Sequence, residues 1–238
     1  MGSPSLQDLC ARGQAALART DYFAAERALV EAESAALNLR DFDTLARLYM
    51  PLQESRRQRR QRAGEGIVRL DLVNSGLTAE QIVERHPHGQ LLIASAGSID
   101  LASRTRVLAY ERGLFLDVLM GATYTIHDAT TLVIVPDARV DVPASASSLD
   151  QLLRQAPPHS IVLNQRDLPA GEQRGSDQTY AITMSIYERL HQPALAQAMS
   201  CADPFGRILQ LREVIEIDYA CEIAHQAISS AARQLLAA

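Results

Sequence analysis

Residues 63–98 read AGEGIVRLDLVNSGLTAEQIVERHPHGQLLIASAGS, and the order of patterns within them decides the fold. Gly64 and Gly66 punctuate the chain. Ile67 to Val73 then reads as a strand, Thr78 to Arg85 as a helix and Leu91 to Ala94 as a buried strand. Strands alternating with helices describe parallel strands joined by crossover helices. Downstream the pattern predicts one long or broken helix over Ile99 to Met120. Further strands follow at Thr123 to Ile126, Thr131 to Val135 and Ser160 to Leu163, with a short helix at Leu149 to Gln155. Pro157-Pro158 and Leu168 to Gly175 read as loops, and from Asp177 the chain is helical to about Met199 and again from Phe205 to the end.

Upstream of the glycine break the chain is helical throughout. Leu6, Leu9, Ala16 and Leu17 mark one apolar stripe and Tyr22, Ala25, Ala28, Leu29 and Ala32 the next. Asp21 stands where an N-cap belongs, at the end of the short turn Arg19-Thr20-Asp21. A third helical stretch covers Phe42 to Gln61, where Pro51 should bend the helix or start a new one. The expected fold is therefore α/β: a helical region over 5–62, and a three-layer domain over 66–238 with a mostly parallel sheet and long C-terminal helices.

Gly13, Ala16, Asp21, Tyr22, Ala25, Leu29 and Ala32 stand at the offsets of a tetratricopeptide repeat, so residues 6 to about 39 resemble one such repeat. The resemblance implies an antiparallel helix pair that binds another protein in a groove. Phe42 and Ala46 hint at a second repeat. Residues 214–225 resemble a junction between repeats, without the proline usual there. Fewer than three contiguous repeats cannot bury their own faces, so these helices must pack on something else.

Composition narrows the chemistry. At 47% hydrophobic and 21% charged, the chain has the content of a folded globular protein. All 23 basic residues are arginine. Without lysine there is no P-loop, no pyridoxal Schiff base, and neither the serine β-lactamase nor the protein-kinase signature. Three cysteines, Cys10, Cys201 and Cys221, show no C-x-x-C spacing and fit reduced thiols in a cytoplasm. Met1 to Leu6 is polar and no apolar run approaches the roughly 18 residues of a membrane span, so neither a signal peptide nor a membrane partner is expected.

Residues 64–238 carry 13 Arg against 20 acidic residues, which gives no general drive toward nucleic acid. The local exception is Arg56, Arg57, Arg59, Arg60 and Arg62. This run has no interleaved aromatics to stack on bases and reads as a solvated helix end.

In a parallel sheet, ligands sit beyond the carboxyl ends of the strands. The candidates there are Asp71 and Asn74, the loop Ser95-Ala96-Gly97-Ser98, Asp137 and Asn164. The loop leaves a buried strand and opens a helix, so Gly97 would permit close approach of an anion. Ser98 is equally placed to cap that helix. His86, His88 and His127 have metal-binding chemistry, but nothing in the sequence brings them together. Cys221 and His225 stand four apart on a predicted helix, within an apolar stripe that places the thiol in the core. No cofactor, no metal and no catalytic constellation emerges.

Two functions remain. One is a non-enzymatic interaction module with its partner, another protein or a second copy, on the apolar helical surface near Leu9, Leu17, Tyr22 and Tyr49. The other is a small-molecule enzyme or sensor using Ser95 to Ser98. In the tetratricopeptide domains that clamp chaperone tails, a cation and an Asn stand four apart on a first helix. The matching places here are Cys10 and Gln14, so no chaperone-tail clamp is expected.

Overall fold

A computed structural model describes residues 4–73 and 76–237. Its helices begin at local capping signals. The Ser5 hydroxyl accepts the Asp8 N–H at 3.2 Å while the Asp8 carboxylate accepts the Ser5 N–H at 3.1 Å, which starts α1 (Leu6–Ala18). Asp21 Oδ1 accepts the Ala24 N–H at 3.1 Å and starts α2 (Tyr22–Leu39). Arg40 closes α2 in the left-handed region at φ 52°, and Asp41 accepts the Thr44 N–H at the entry to α3 (Phe42–Gly64). Pro51 lies inside α3, and the helix is continuous through it. A β-carbon on Gly13 would come within 2.6 Å of Leu29 Cγ, so α1 and α2 are in close contact there.

The remaining elements are β1 (Ile67–Val73), α4 (Ala79–Arg85), β2 (Gly89–Ala96), α5 (Asp100–Glu111), β3 (Leu116–Ile126), β4 (Ala129–Val135), α6 (Leu149–Gln155), β5 (Ile161–Asn164), β6 (Gln173–Arg174), α7 (Asp177–Ser200), α8 (Pro204–Ile217) and α9 (Glu222–Ala237). They form two compact units. One holds the described residues up to Arg59 together with those from Gln192 onward, and the other holds Arg60 to His191. The C-terminal helices therefore join the N-terminal ones; the sequence reading counted them with the 66–238 domain while allowing that they close against the first helices.

In the helical unit, Leu9, Leu29, Leu45 and Tyr49 share one core with Ile208, Leu211, Val214 and Ile228. The apolar stripes of α8 and α9 close over those of α1 to α3, which is how so short a helical array buries its face. That closure corrects the expected partner surface. Leu9, Tyr22 and Tyr49 are buried and so present no docking face, while Leu17 is half-buried.

The sheet unit has strand order β5-β4-β3-β2-β1-β6. β1, β2 and β3 are mutually parallel, as the alternation predicts, and α4 and α5 are their crossovers. The other pairings, β3 with β4, β4 with β5 and β1 with β6, are antiparallel, so the α/β fold carries a mixed sheet. His127 and Asp128 explain the change of direction. Both have positive φ, 49° and 63°, which makes a two-residue turn of the type that closes a hairpin. Gly113, at φ +66°, ends the α5 segment, so Leu116 to Met120 form the start of β3 and not the end of a long helix.

Side-chain alternation divides the faces of the sheet. Leu91, Ile93, Val118 and Met120 pack against Ile82 and Val83 of α4 and Ala102 and Ala109 of α5. On the opposite face Gln90 and Asp117 are register neighbours, and Asp117 receives Tyr187 of α7.

Candidate functional site

The first three helices enclose a cleft of about 220 Å³. Its walls are Gln7, Cys10, Ala11 and Gln14 of α1 and Thr44, Arg47 and Leu48 of α3, with Leu29 of α2 also lining it. On α1 these positions follow i, i+3, i+4, i+7, so one helical face supplies one wall. Arg47 is held by Asp43 at 2.6 Å, and both are well exposed, which makes this a weak surface pair. The Thr44 hydroxyl donates to Asp41 Oδ2 at 2.7 Å. Burial raises the Cys10 thiol above its ordinary pKa, against the pull of nearby Arg47. Cys10 is therefore a protonated thiol in the wall and not an activated nucleophile. The two positions that the repeat resemblance compares with a carboxylate clamp, Cys10 and Gln14, both line this cleft. Leu29 belongs to the second apolar stripe of the sequence, whereas Gln7, Ala11, Thr44 and Arg47 escape sequence inspection because they are polar or small, and apolar periodicity does not register them.

The arginine run of α3 also takes part in buried polar networks that the sequence conceals. Arg56, Arg59 and Arg60 continue the buried stripe of Leu45, Tyr49 and Leu52 along α3, while Arg57 and Arg62 point outward to Glu54 and Glu65. The reading of this run as a solvated helix end therefore fails at three positions. In the helical unit Glu26 accepts from Arg56 Nε at 2.8 Å and from Arg59. Burial opposes ionisation of Glu26, yet Arg59 and Arg56 outweigh it and hold the carboxyl below its ordinary pKa. Arg59 also lies over the rings of Phe23 and Tyr219, at 4.5 and 4.9 Å. Glu33, two turns along α2, accepts from the Tyr49 hydroxyl and from Arg212 Nε at 2.7 Å.

Arg56 reaches His225 of α9, with Nη1 3.1 Å from Nε2. Because a guanidinium only donates, Nε2 accepts, and the ring proton sits on Nδ1, which donates to the Cys221 carbonyl at 2.8 Å. Burial first, and then the Arg56 charge, lower the His225 pKa to about 3. Both nitrogens are thus engaged, and the imidazole has none left to activate the Cys221 thiol.

In the sheet unit Asp117 Oδ2 accepts from Arg60 Nε at 3.3 Å and Oδ1 from the Tyr187 hydroxyl at 2.8 Å. The Arg60 guanidinium stacks 3.9 Å from the Tyr187 ring centre. These contacts hold Arg60 and Tyr187 against the beginning of β3. Gln90, beside Asp117 and 1% exposed, has neither amide atom hydrogen-bonded.

The strand-end residues do not assemble. Ser95, Gly97, Ser98 and Asn164 lie at one end of the sheet, since β5 runs parallel to β3 across the antiparallel β4. Asp137 lies toward the other end, because β4 runs oppositely and its last residue, Val135, pairs with Met120. Asp71 is mid-strand at a register irregularity of β1. Asn74 lies outside the described residues.

Asp71, Asp137, Asn164 and Ser98 each accept a backbone hydrogen bond within the chain. Asp71 accepts the Gly171 N–H at 2.6 Å, Asp137 accepts the Arg139 N–H at 2.8 Å, and Asn164 accepts the Arg166 N–H at 2.9 Å. Ser98 Oγ accepts the Asp100 N–H at 3.1 Å, though the N-cap of α5 is Ile99. Gly97, at φ +58°, is pressed against a neighbouring loop, and a β-carbon there would lie 2.6 Å from the Ala144 carbonyl. The Tyr124 hydroxyl, donating to the Pro143 carbonyl at 2.7 Å, secures the same loop.

The histidines are apart as well. His86 and His88 precede β2, whereas His127 is the tip of the β3–β4 hairpin, roughly 33 Å away along the strand. His88 Nε2 donates to the Arg62 carbonyl at 2.5 Å. Among the described residues no helix is long and apolar enough to cross a membrane. Comparison with protein-family models, curated proteins and solved structures finds no match for this chain.

Proposed function

We propose that the chain is a non-enzymatic protein-interaction module, in which the face shared by α1 and α3 receives an extended segment of a partner. The cleft between those helices carries the reading. Gln7 and Gln14 stand on either side of Ala11, and a carboxamide can donate to and accept from the backbone of an extended chain at once. The close contact of Gly13 with Leu29 is what the tetratricopeptide resemblance expects, and it supports the same reading.

The test is a peptide-display selection against the full chain. Enriched peptides should bind saturably and lose binding in Ala11→Arg, whose side chain fills the cleft from an exposed position. No enrichment, or peptides that bind Ala11→Arg equally well, overturns the proposal. Sedimentation velocity over a concentration series separates a second copy from a different protein as the source of the segment.

The cleft should not hold an acidic chaperone tail, because Cys10 and Gln14, which line it at the two places compared with a clamp, carry no positive charge. Tight binding of such a peptide in fluorescence anisotropy, lost on Arg47→Ala, would contradict this. The competing reading, a small-molecule enzyme or sensor using Ser95 to Ser98, is tested by thermal shift against phosphorylated metabolites and nucleotides. A true ligand at 100 times its Kd adds about 2.7 kcal/mol.

A further inference from the structure

We draw no further inference here: the strongest candidate, the cleft between α1 and α3 lined by Gln7, Cys10, Gln14 and Arg47, belongs to the site already described, and nothing in the structure shows which partner chemistry covers it.

Discussion

The Arg56 guanidinium donates to His225 Nε2 across 3.1 Å and thereby dictates that the buried imidazole is neutral with its proton on Nδ1. Arg56 sits on α3 and His225 on α9, so one hydrogen bond joins the first helices of the helical unit to its last.

Acid sensitivity follows from that bond. The folded pKa of His225 is about 3, below the ordinary value of 6.5, so between these values the unfolded chain binds more protons than the folded one. Stability is therefore constant with respect to this group above about pH 6.5 and is lost as pH falls toward 3. Urea unfolding between pH 7 and 4 should show a steeper loss of stability in the native chain than in His225→Gln, the difference approaching the slope of one proton. An imidazole that titrates near 6.5 by NMR refutes the assignment.

Glu26 accepts from two largely buried guanidiniums, and its replacement by an uncharged amide removes the carboxylate they share. Glu26→Gln should cost about 3–5 kcal/mol. Arg62→Ala breaks a half-exposed pair with Glu65 and should change stability by less than about 1 kcal/mol. Equal effects of the two variants in urea unfolding would show that the arginine run is solvated after all.

Gly13→Ala tests the contact of α1 with α2. In an open helix the substitution would stabilise by about 1 kcal/mol. Here the added β-carbon meets Leu29 at 2.6 Å, so a net loss of roughly 1–3 kcal/mol is expected. In a Leu29→Ala background, which makes room for the methyl group, the same substitution should become neutral or favourable. Melting temperatures of the four chains of this cycle check both signs.

Gln90 is a liability in the sheet unit. Its amide atoms are sealed from water without a hydrogen bond, and an unsatisfied buried amide costs about 1–3 kcal/mol. Gln90→Leu fits a central strand and should raise stability by on the order of 1 kcal/mol. A lower urea midpoint in this variant would mean that the amide has a role in the Asp117 cluster.

What the sequence by itself determined was local. Ser5, Asp21 and Thr78 start their helices by hydrogen bonds within three residues, and the alternation beginning at Ile67 specified the parallel strands and their crossovers. The β3–β4 hairpin was also legible in principle, because only His127 and Asp128 separate two strand-forming runs. Its two-residue turn reverses β4 and carries Asp137 away from the strand ends where a parallel reading puts it.

The arginines were beyond reach of the sequence. Arg56, Arg59 and Arg60 lie at the spacing of a buried stripe, but a guanidinium enters a core only when a carboxylate waits there. Glu26 is 30 residues from Arg56, and Asp117 is 57 from Arg60. Likewise Leu9 and Tyr49 are apolar whether a partner covers them or α8 and α9 do, and only tertiary packing decided between the two. Local rules place a side chain on a face; what that face meets is a long-range property of the folded chain.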